Sequence, residues 1–433
     1  MHKKAIASGN VGRLIDKKDL PDFYLIRQKF DDTHITDIEA AVAEAVRRPG
    51  TMDCVREGQK VAIAVGSRGI YKIADIVRAL AALVKKAGAS PFAVPAMGSH
   101  GGATAEGQER LLADYGVTEE YIGCPVISDM STVLLGKTDR GVNAYFDKNA
   151  YSADAVILAN RIKPHTDFRG PYESGLAKQI VIGLGKQDGA EACHGNKIAD
   201  MSQNIHDVAQ LAISRTNILF GLGIVENAYD RTMSVSALPA ASILAEEPAL
   251  LDVARRNMPS ILLSPLDVLI VDEIGKNISG AGMDPNITGR FATDCATGGA
   301  EAQRCVVLDI TEQSHGNGIG LGLADFSVNR AYEKFDFETV YPNIITNSLP
   351  SSGKLPVIIA NDRLAICAAI QSCIGIDREN PAIIRIKNTL CMEYMYVSKA
   401  LLNRAEAHGS IDVAGGPRKF DFDGDGNIDM GIW

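Results

Sequence analysis

The stretch VAIAVGSRGIYKIADIVRALAALVKKAG, residues 61–88, decides the fold class. Its first five residues are apolar and typical of a buried strand, and a polar turn bounded by glycines follows. Apolar residues then recur at the spacing of one helix face: Ile73, Ile76, Val77, Leu80 and Val84. Gly88 stands where a helix commonly ends. The stretch therefore predicts a strand, a turn and an amphipathic helix in succession.

The same succession recurs along the chain. Further apolar runs that predict strands lie at residues 91–96, 155–159, 217–225, 266–271, 304–310, 356–360 and 382–386. Helical patterns at residues 104–115 and 198–215 separate some of these runs. Since strands that alternate with helices predict parallel sheets, the fold class is α/β, with two α/β domains and mainly parallel sheets.

The domain boundary is expected near residues 235–265, where the pattern is helical and typical of a connector. Residues 1–265 then form an N-terminal catalytic domain, and residues 266–433 form a C-terminal domain that supplies a substrate-side loop and closes the cleft. A length of 433 residues is comfortable for two domains of roughly 150 residues or more each. Because ligands often bind between domains, the active site is expected in the interdomain cleft.

Composition excludes several classes of partner. Lys and Arg number 44 against 53 Asp and Glu, and the net charge of −9 argues against nucleic acid and anionic membranes as partners. No apolar run approaches 18 residues, so no transmembrane helix is expected. The eight cysteines contain no C-x-x-C pair, and the N-terminal region has no hydrophobic signal core. These features predict a cytoplasmic protein with reduced thiols.

Two glycine-containing loops follow predicted strands, at the edge where parallel sheets bind ligands. Residues 66–69 (GSRG) place Arg68 where it suits a carboxylate or phosphate, although an ordinary surface turn is the alternative. Residues 98–104 (GSHGGAT) let the backbone approach a ligand and present His100 as a general base. The alternative for His100 is a turn in which the histidine caps the next helix.

A third loop and two later residues complete the candidates. Residues 163–170 (KPHTDFRG) centre on His165, and a solvated surface loop is the alternative. Taken singly, Lys178 is typical of a surface lysine and His194 of a helix-face histidine, although histidine is also a common nickel or zinc ligand. Cys193 is interpreted as structural, because adjacent residues on a regular helix rarely ligate one metal ion.

Taken together and in order, these residues resemble the lactate racemase family that depends on a nickel-pincer nucleotide. The resemblance covers most of the first 200 residues through the strand–SR turn, GSHGGAT, KPHTDF-x-G, G-x-x-K and the later histidine. It continues more weakly through VDEIGKNISG and the IRIKNT segment at residues 384–389. The ordered set is more specific than any single motif.

The resemblance implies a cofactor, the nickel-pincer nucleotide (pyridinium-3,5-bisthiocarboxylic acid mononucleotide nickel). Lys178 matches the lysine that joins covalently to it, and His194 matches the histidine that ligates the nickel. Ser67 and Gly101 are expected to contact the cofactor. Cofactor-maturation enzymes are then implied as transient partners.

The resemblance also implies substrate contacts. His100 and His165 match the two histidines that act as acid and base on opposite faces of a small 2-hydroxy acid, and Arg68 matches the arginine that holds its carboxylate. Asn277 is expected to bind substrate from the second domain. The implied activity is that of an isomerase, a racemase or epimerase that inverts C2 by hydride removal and return.

One departure from the lactate racemases bears on the substrate. Residues 279–286 (SGAGMDPN) lack the tyrosine and lysine that approach lactate in that family. This loop leaves more room and offers polar groups, which favours a larger or more polar 2-hydroxy acid such as an aldonate. Two other readings stay open: a zinc-dependent hydrolase with His100, His165 and His194 as ligands, and a non-catalytic ligand-binding homologue.

Overall fold

The computed structural model describes residues 10–15, 17, 19–66, 69–347 and 349–429. The chain divides into two compact units. Asp31–Met258 forms the first, which we call the central unit. The second, the terminal unit, combines the chain from Pro259 onward with the segment that precedes Asp31. This division differs from the predicted one, which put the boundary at residue 265 and assigned the whole N-terminal segment to the first domain.

The strands of the described residues are, in chain order, β1 (Phe23–Gln28), β2 (Lys60–Gly66), β3 (Ser90–Ala96), β4 (Thr132–Lys137), β5 (Asn143–Asp147), β6 (Ala155–Arg161), β7 (Ile218–Glu226), β8 (Thr232–Pro239), β9 (Leu266–Ile274), β10 (Ala302–Ile310), β11 (Phe326–Val328), β12 (Val357–Ile359), β13 (Ile383–Ile386), β14 (Tyr394–Ser398) and β15 (Ile411–Arg418). Each apolar run that predicted a strand lies on one of them.

The α-helices of the same residues are α1 (Asn10–Leu14), α2 (Ile38–Ala45), α3 (Ile73–Lys86), α4 (Ala105–Asp114), α5 (Glu119–Ile122), α6 (Lys148–Tyr151), α7 (Leu176–Lys178), α8 (Lys186–His194), α9 (Met201–Arg215), α10 (Ile243–Asn257), α11 (Pro285–Thr288), α12 (Asn329–Lys334), α13 (Phe337–Asn347), α14 (Asp362–Ser372) and α15 (Lys399–Ala407). A π-helical turn, Gln179–Gly183, directly follows α7 and leads to α8. Among these helices, none combines the length and the apolar character that crossing a bilayer requires.

The central unit is built on a five-stranded sheet in the order β3-β2-β6-β7-β8. All pairs are parallel except β7 with β8. The middle strands are buried on both faces, which explains their continuous apolar sequences. Residues 235–239 belong to β8, so the prediction that residues 235–265 are a helical connector was wrong there. The helix that follows, α10, is part of the central unit rather than a linker.

The terminal unit has an eight-stranded sheet in the order β12-β11-β10-β9-β13-β14-β1-β15. The pairs from β12 to β13 are parallel, and those from β13 to β15 are antiparallel. Strand β1 lies between β14 and β15, which places the segment before Asp31 in this unit. Both units thus have mainly parallel sheets with alternating helices, and the predicted α/β class is confirmed.

Candidate active site

The carboxyl ends of β2, β3 and β6 meet at one edge of the central sheet, because these strands are parallel neighbours. The three polar loops predicted from the sequence follow these three strands. Ser67 and Arg68, in the loop after β2, lie outside the described residues. The loops after β3 and β6 carry His100 and His165, so both histidines stand at this edge.

The His100 loop is tightly folded against the start of α4. Gly101 has φ +67°, and a Cβ atom at this position would lie 2.6 Å from the carbonyl carbon of Gly107, so a larger residue does not fit. Thr104 caps α4, because its hydroxyl accepts the Gly107 N–H. Gln108 donates its amide to the carbonyls of Gly98 (2.8 Å) and His100 (3.2 Å). These two hydrogen bonds from Gln108 therefore fix the backbone at Gly98 and His100.

Asp167 and Phe168 orient the imidazole ring of His165. The Asp167 N–H donates to Nδ1 of His165 at 3.1 Å, and the Asp167 carboxylate lies 3.6 Å from the same nitrogen. Phe168 stacks on the imidazole with a ring-centroid distance of 4.3 Å. These contacts fix the orientation of the imidazole ring at the edge of the sheet.

Glu173 organises the backbone of the His165 loop. Its buried carboxylate accepts the N–H groups of His165 (2.7 Å) and Gly170 (3.1 Å). The same carboxylate forms ion pairs with Arg255 and Arg169. One buried acid thus ties together both ends of the loop and the helix α10.

Lys178 lies beside this loop. Its Nζ is 6.0 Å from the ring centroid of Phe168, whose other neighbour is His165. Directly after Lys178 the chain forms the π-helical turn, and Gly183 in that turn accepts the N–H of Gly98 at 3.1 Å. The lysine is therefore placed between the His165 loop and the loop that carries His100.

Glu247 caps the short helix that ends at Lys178. Its carboxylate accepts the N–H of Ala177 at 2.8 Å, and the N–H of Leu176 also bonds to it. A Cβ at Gly175 would lie 2.3 Å from Glu247 Oε1, so only glycine allows this approach. Burial raises the pKa of Glu247 to about 7, against the opposing effect of the two N–H groups.

His194, the last residue of α8, is electrostatically linked to Lys178. Burial, together with a smaller effect of the positive charge of Lys178, lowers the pKa of His194 to about 4. The imidazole is therefore neutral near pH 7, the form that ligates a metal ion. Burial raises the pKa of the neighbouring Cys193 thiol to about 12, so it stays protonated, in agreement with its interpretation as structural.

The structure thus brings His165, Lys178 and His194 together and sets the His100 loop against the turn after Lys178. Asn277 belongs to the terminal unit, where its Oδ1 accepts the hydroxyls of Thr311 and Ser314. Among the described residues, no three His, Cys, Asp or Glu side chains are grouped so that they could hold one metal ion.

Residues 15–206 match the family model described as the lactate racemase N-terminal domain. Over these residues the chain is similar to that domain. No curated protein matches the chain. One solved structure, the lactate racemase apoprotein from Thermoanaerobacterium thermosaccharolyticum, is 14% identical with a TM-score of 0.46, and the match covers 81% of this chain and 95% of that one.

The residues of this segment fit the cofactor that the resemblance implies. Lys178 offers an amine for covalent attachment, and His194 offers a neutral imidazole for nickel. Gln179 is buried, and its amide donates to the carbonyls of Ala64 and Ala159 (3.1 Å each) at the ends of β2 and β6. Its Oε1 has no hydrogen-bond partner among the described residues, so it is an acceptor for which a donor on a bound group would be suitable.

Four polar residues of this site were missed in the sequence: Gln108, Glu173, Lys186 and Glu247. Glu173 stands eight residues after His165, in the predicted loop region, and only its buried carboxylate distinguishes it. Glu247 lies on α10, about 70 residues after Lys178, in a stretch whose periodicity is that of an ordinary amphipathic helix. No local pattern marks a polar residue that becomes buried through a distant contact.

Proposed function

We propose that the protein is a racemase or epimerase that inverts C2 of a small 2-hydroxy acid, with a nickel-pincer nucleotide bound at Lys178 and His194. The observation that carries the proposal is the position of Lys178, which lies 6.0 Å from the Phe168 ring that stacks on His165 and which interacts electrostatically with a neutral His194. The similarity of residues 15–206 to the lactate racemase N-terminal domain supports the same activity.

When bound, the cofactor would supply an electrophilic carbon that takes the hydride from C2 and gives it back, so that a planar 2-keto acid lies between the two enantiomers. The chain's own residues handle the proton. His165, with Asp167 beside its Nδ1, would take the hydroxyl proton of one enantiomer. His100, on a separate loop, would do the same for the other, so that each histidine serves one direction.

The substrate is proposed to be larger or more polar than lactate, with an aldonate as the example. Arg68 would hold its carboxylate and Asn277 a hydroxyl group, while Ser67 and Gly101 would contact the cofactor. The glycine-rich loop at residues 279–286, without the tyrosine and lysine of the lactate racemases, supports a roomier site. A panel of 2-hydroxy acids tests this proposal, and lactate as the best substrate would contradict it.

Cofactor loading is tested first. The protein is produced together with cofactor-maturation enzymes, and peptide mass spectrometry and metal analysis are carried out. A nucleotide mass on Lys178 together with nickel is expected. Zinc with an unmodified Lys178 would instead favour a zinc hydrolase and would overturn the proposal.

Turnover in heavy water tests the chemistry. If the same hydride returns to C2, the product should keep its C2 hydrogen largely undeuterated. Rapid deuteration at C2 would exclude hydride return. His100→Ala and His165→Ala should each abolish racemisation, and full binding with no turnover of any 2-hydroxy acid by the loaded wild-type protein would instead indicate a non-catalytic homologue.

A further inference from the structure

Lys186 is a fully buried lysine that lies between two segments of the site. It is the first residue of α8, the helix whose last residue is His194. Its ammonium group donates to the carbonyl of Pro95, near the end of β3, at 2.5 Å. It also donates to Oε1 of Gln108, on α4, at 3.3 Å. One side chain therefore links the His194 helix to the elements that flank the His100 loop.

The charge of Lys186 is balanced within the core. Asp147, at the end of β5, lies 3.0 Å from its Nζ, and both side chains have no exposed surface. The ammonium group thus makes two hydrogen bonds, to Pro95 and Gln108, and an ion pair with Asp147. Taking two charges out of water is costly, and such a pair is stable only when its geometry is well fixed. The lysine is consequently a rigid anchor.

Gln108 transmits the position of Lys186 to His100. It is also fully buried, and its amide group donates to the carbonyls of Gly98 and His100. Gly98, Gly101 and Gly102 all have positive φ values, so the loop backbone has little conformational preference of its own. The two hydrogen bonds from Gln108 therefore select the conformation in which His100 is presented.

The backbone at Lys186 agrees with this interpretation. Its φ is +54°, in the left-handed region that residues other than glycine rarely occupy. Such a conformation is strained and persists only where the surrounding structure over-determines it. The three polar contacts of the side chain provide that determination.

We propose that Lys186 and Gln108 form a positioning relay that fixes the His100 loop relative to the helix that carries His194. The proposal rests on the proposed function, in which His100 exchanges the substrate proton and His194 ligates nickel. In this relay neither residue touches the reacting atoms. Lys186 sets the spacing of the two segments, and Gln108 sets the orientation of His100.

The relay is tested with Gln108→Met, which removes the two hydrogen bonds to the His100 loop. The rate at which diethyl pyrocarbonate modifies His100 is measured by peptide mass spectrometry in protein without cofactor, with the exposed His315 as internal reference. A change of about threefold or more at His100, and a fall in kcat of about tenfold or more at nearly constant KM in loaded enzyme, are expected from a small misplacement of the base.

The matched control is Gln28→Met in the terminal unit. Gln28 is equally buried and also donates its amide to two carbonyls, those of Ser260 and Met392, at 2.9 Å each. This variant should lose a similar amount of stability and leave the reactivity of His100 and kcat unchanged. The pair of variants separates positioning from a general loss of stability.

Lys186→Met tests the second half of the relay. It should change the modification rates of both His100 and His194, whereas Gln108→Met should change that of His100 alone. Lys334→Met is the control, because Lys334 also binds a carboxylate and a main-chain carbonyl, but in the terminal unit. If either relay variant does not fold, Gln108→Glu keeps an acceptor for Lys186 while it removes the amide donors.

Wild-type reactivity of His100 in folded Gln108→Met or Gln108→Glu protein would overturn the relay, whatever the turnover. The result is independent of the proposed function, because the modification rate is measured without cofactor or substrate. A loaded wild-type enzyme that fails to racemise any 2-hydroxy acid would contradict the function, and the His100 rate would still decide whether the relay exists.

Discussion

The two parallel sheets hold the loops at their carboxyl edges by different means. In the central unit, buried ionisable side chains hold the segments of the candidate site. Glu173 binds the backbone of the His165 loop, and Glu247 binds the helix that ends at Lys178. Lys186 contacts the His100 loop indirectly, through Gln108. In the terminal unit, neutral hydroxyl groups hold the side chain of Asn277, since Thr311 Oγ1 lies 2.6 Å from Asn277 Oδ1 and 2.7 Å from Ser314 Oγ.

The terminal unit contains a buried ion pair that joins two strands of its sheet. Arg385 on β13 binds Asp272 on β9 through two hydrogen bonds of 2.7 Å. Charges buried inside a sheet fix strands, whereas charges buried beneath loops fix the residues that those loops carry. We therefore predict that the geometry of the proposed site in the central unit depends on its buried charges. Four variants test this contrast.

The largest effect is expected from Lys178→Met. The residue is partly exposed, so the change should alter the unfolding free energy little, while the cofactor adduct and all turnover disappear because the attachment point is lost. Mass spectrometry and a racemisation assay measure both. Lys197→Met, an exposed lysine of the same unit, is the control and should behave as wild type. Turnover that survives in Lys178→Met would contradict the proposal that the cofactor is attached at Lys178 in the central unit.

Glu247→Gln is expected to have the next largest effect, on the pH dependence of stability. The pKa of Glu247 is raised from 4.5 to about 7 by burial, so the folded state binds a proton that the unfolded state releases. Wild-type stability should therefore fall by about 3 kcal/mol as the pH rises from about 4.5 to 7 through this group, and the loss should be absent in the variant. Tyr172 is the titratable neighbour, and its pKa is also raised, chiefly by burial.

Urea unfolding at several pH values measures this effect, and Glu246→Gln on the same helix is the control. Glu246 is exposed to solvent, and its hydrogen bond to Arg48 lowers its pKa, so its contribution has the opposite sign and is lost only at lower pH. Equal pH profiles for wild type and Glu247→Gln between pH 4.5 and 7 would show that the carboxyl beneath Lys178 is not perturbed.

The central sheet was predictable because its signals are local. Strand β2, the turn after it and α3 occupy adjacent residues, and apolar spacing alone identifies them. Strand β1 was not, because its partners Tyr394–Ser398 and Ile411–Arg418 lie more than 360 residues later and a six-residue strand has little pattern of its own. The domain boundary was misplaced for the same reason.

The candidate site follows the same rule. His100 and His165 were singled out because each stands in a short polar motif directly after a strand, whereas Lys178 was assigned a role only through the resemblance to the lactate racemases. Gln108 and Glu247 were missed because they occupy helical positions where polar residues are common, and only tertiary contacts bury them. Sequence therefore located the groups proposed to react, while the groups that position them required the fold.

Glu173→Gln should have a moderate effect. The carboxylate is fully buried, but Arg255 and Arg169 are partly exposed and regain water, so a loss of about 2 kcal/mol in unfolding free energy is expected rather than the full cost of a broken buried pair. Modification of His165 by diethyl pyrocarbonate should change in parallel. The control is Glu393→Gln, whose exposed pair with Arg27 is worth about 0.5 kcal/mol. Unchanged reactivity of His165 would restrict Glu173 to stability.

Ser314→Ala in the terminal unit should have the smallest effect. The hydroxyl accepts the N–H of Lys276 at 2.8 Å and bonds to Thr311, so its loss should cost about 1 kcal/mol. Because the hydrogen-bonding side chains of this network are neutral, the cost should be the same at pH 5 and pH 8, unlike that of Glu247→Gln. Urea unfolding at both pH values measures it. A cost that changes with pH as strongly as at Glu247 would mean that the terminal loops also depend on a buried charge, and the distinction between the two edges would fail.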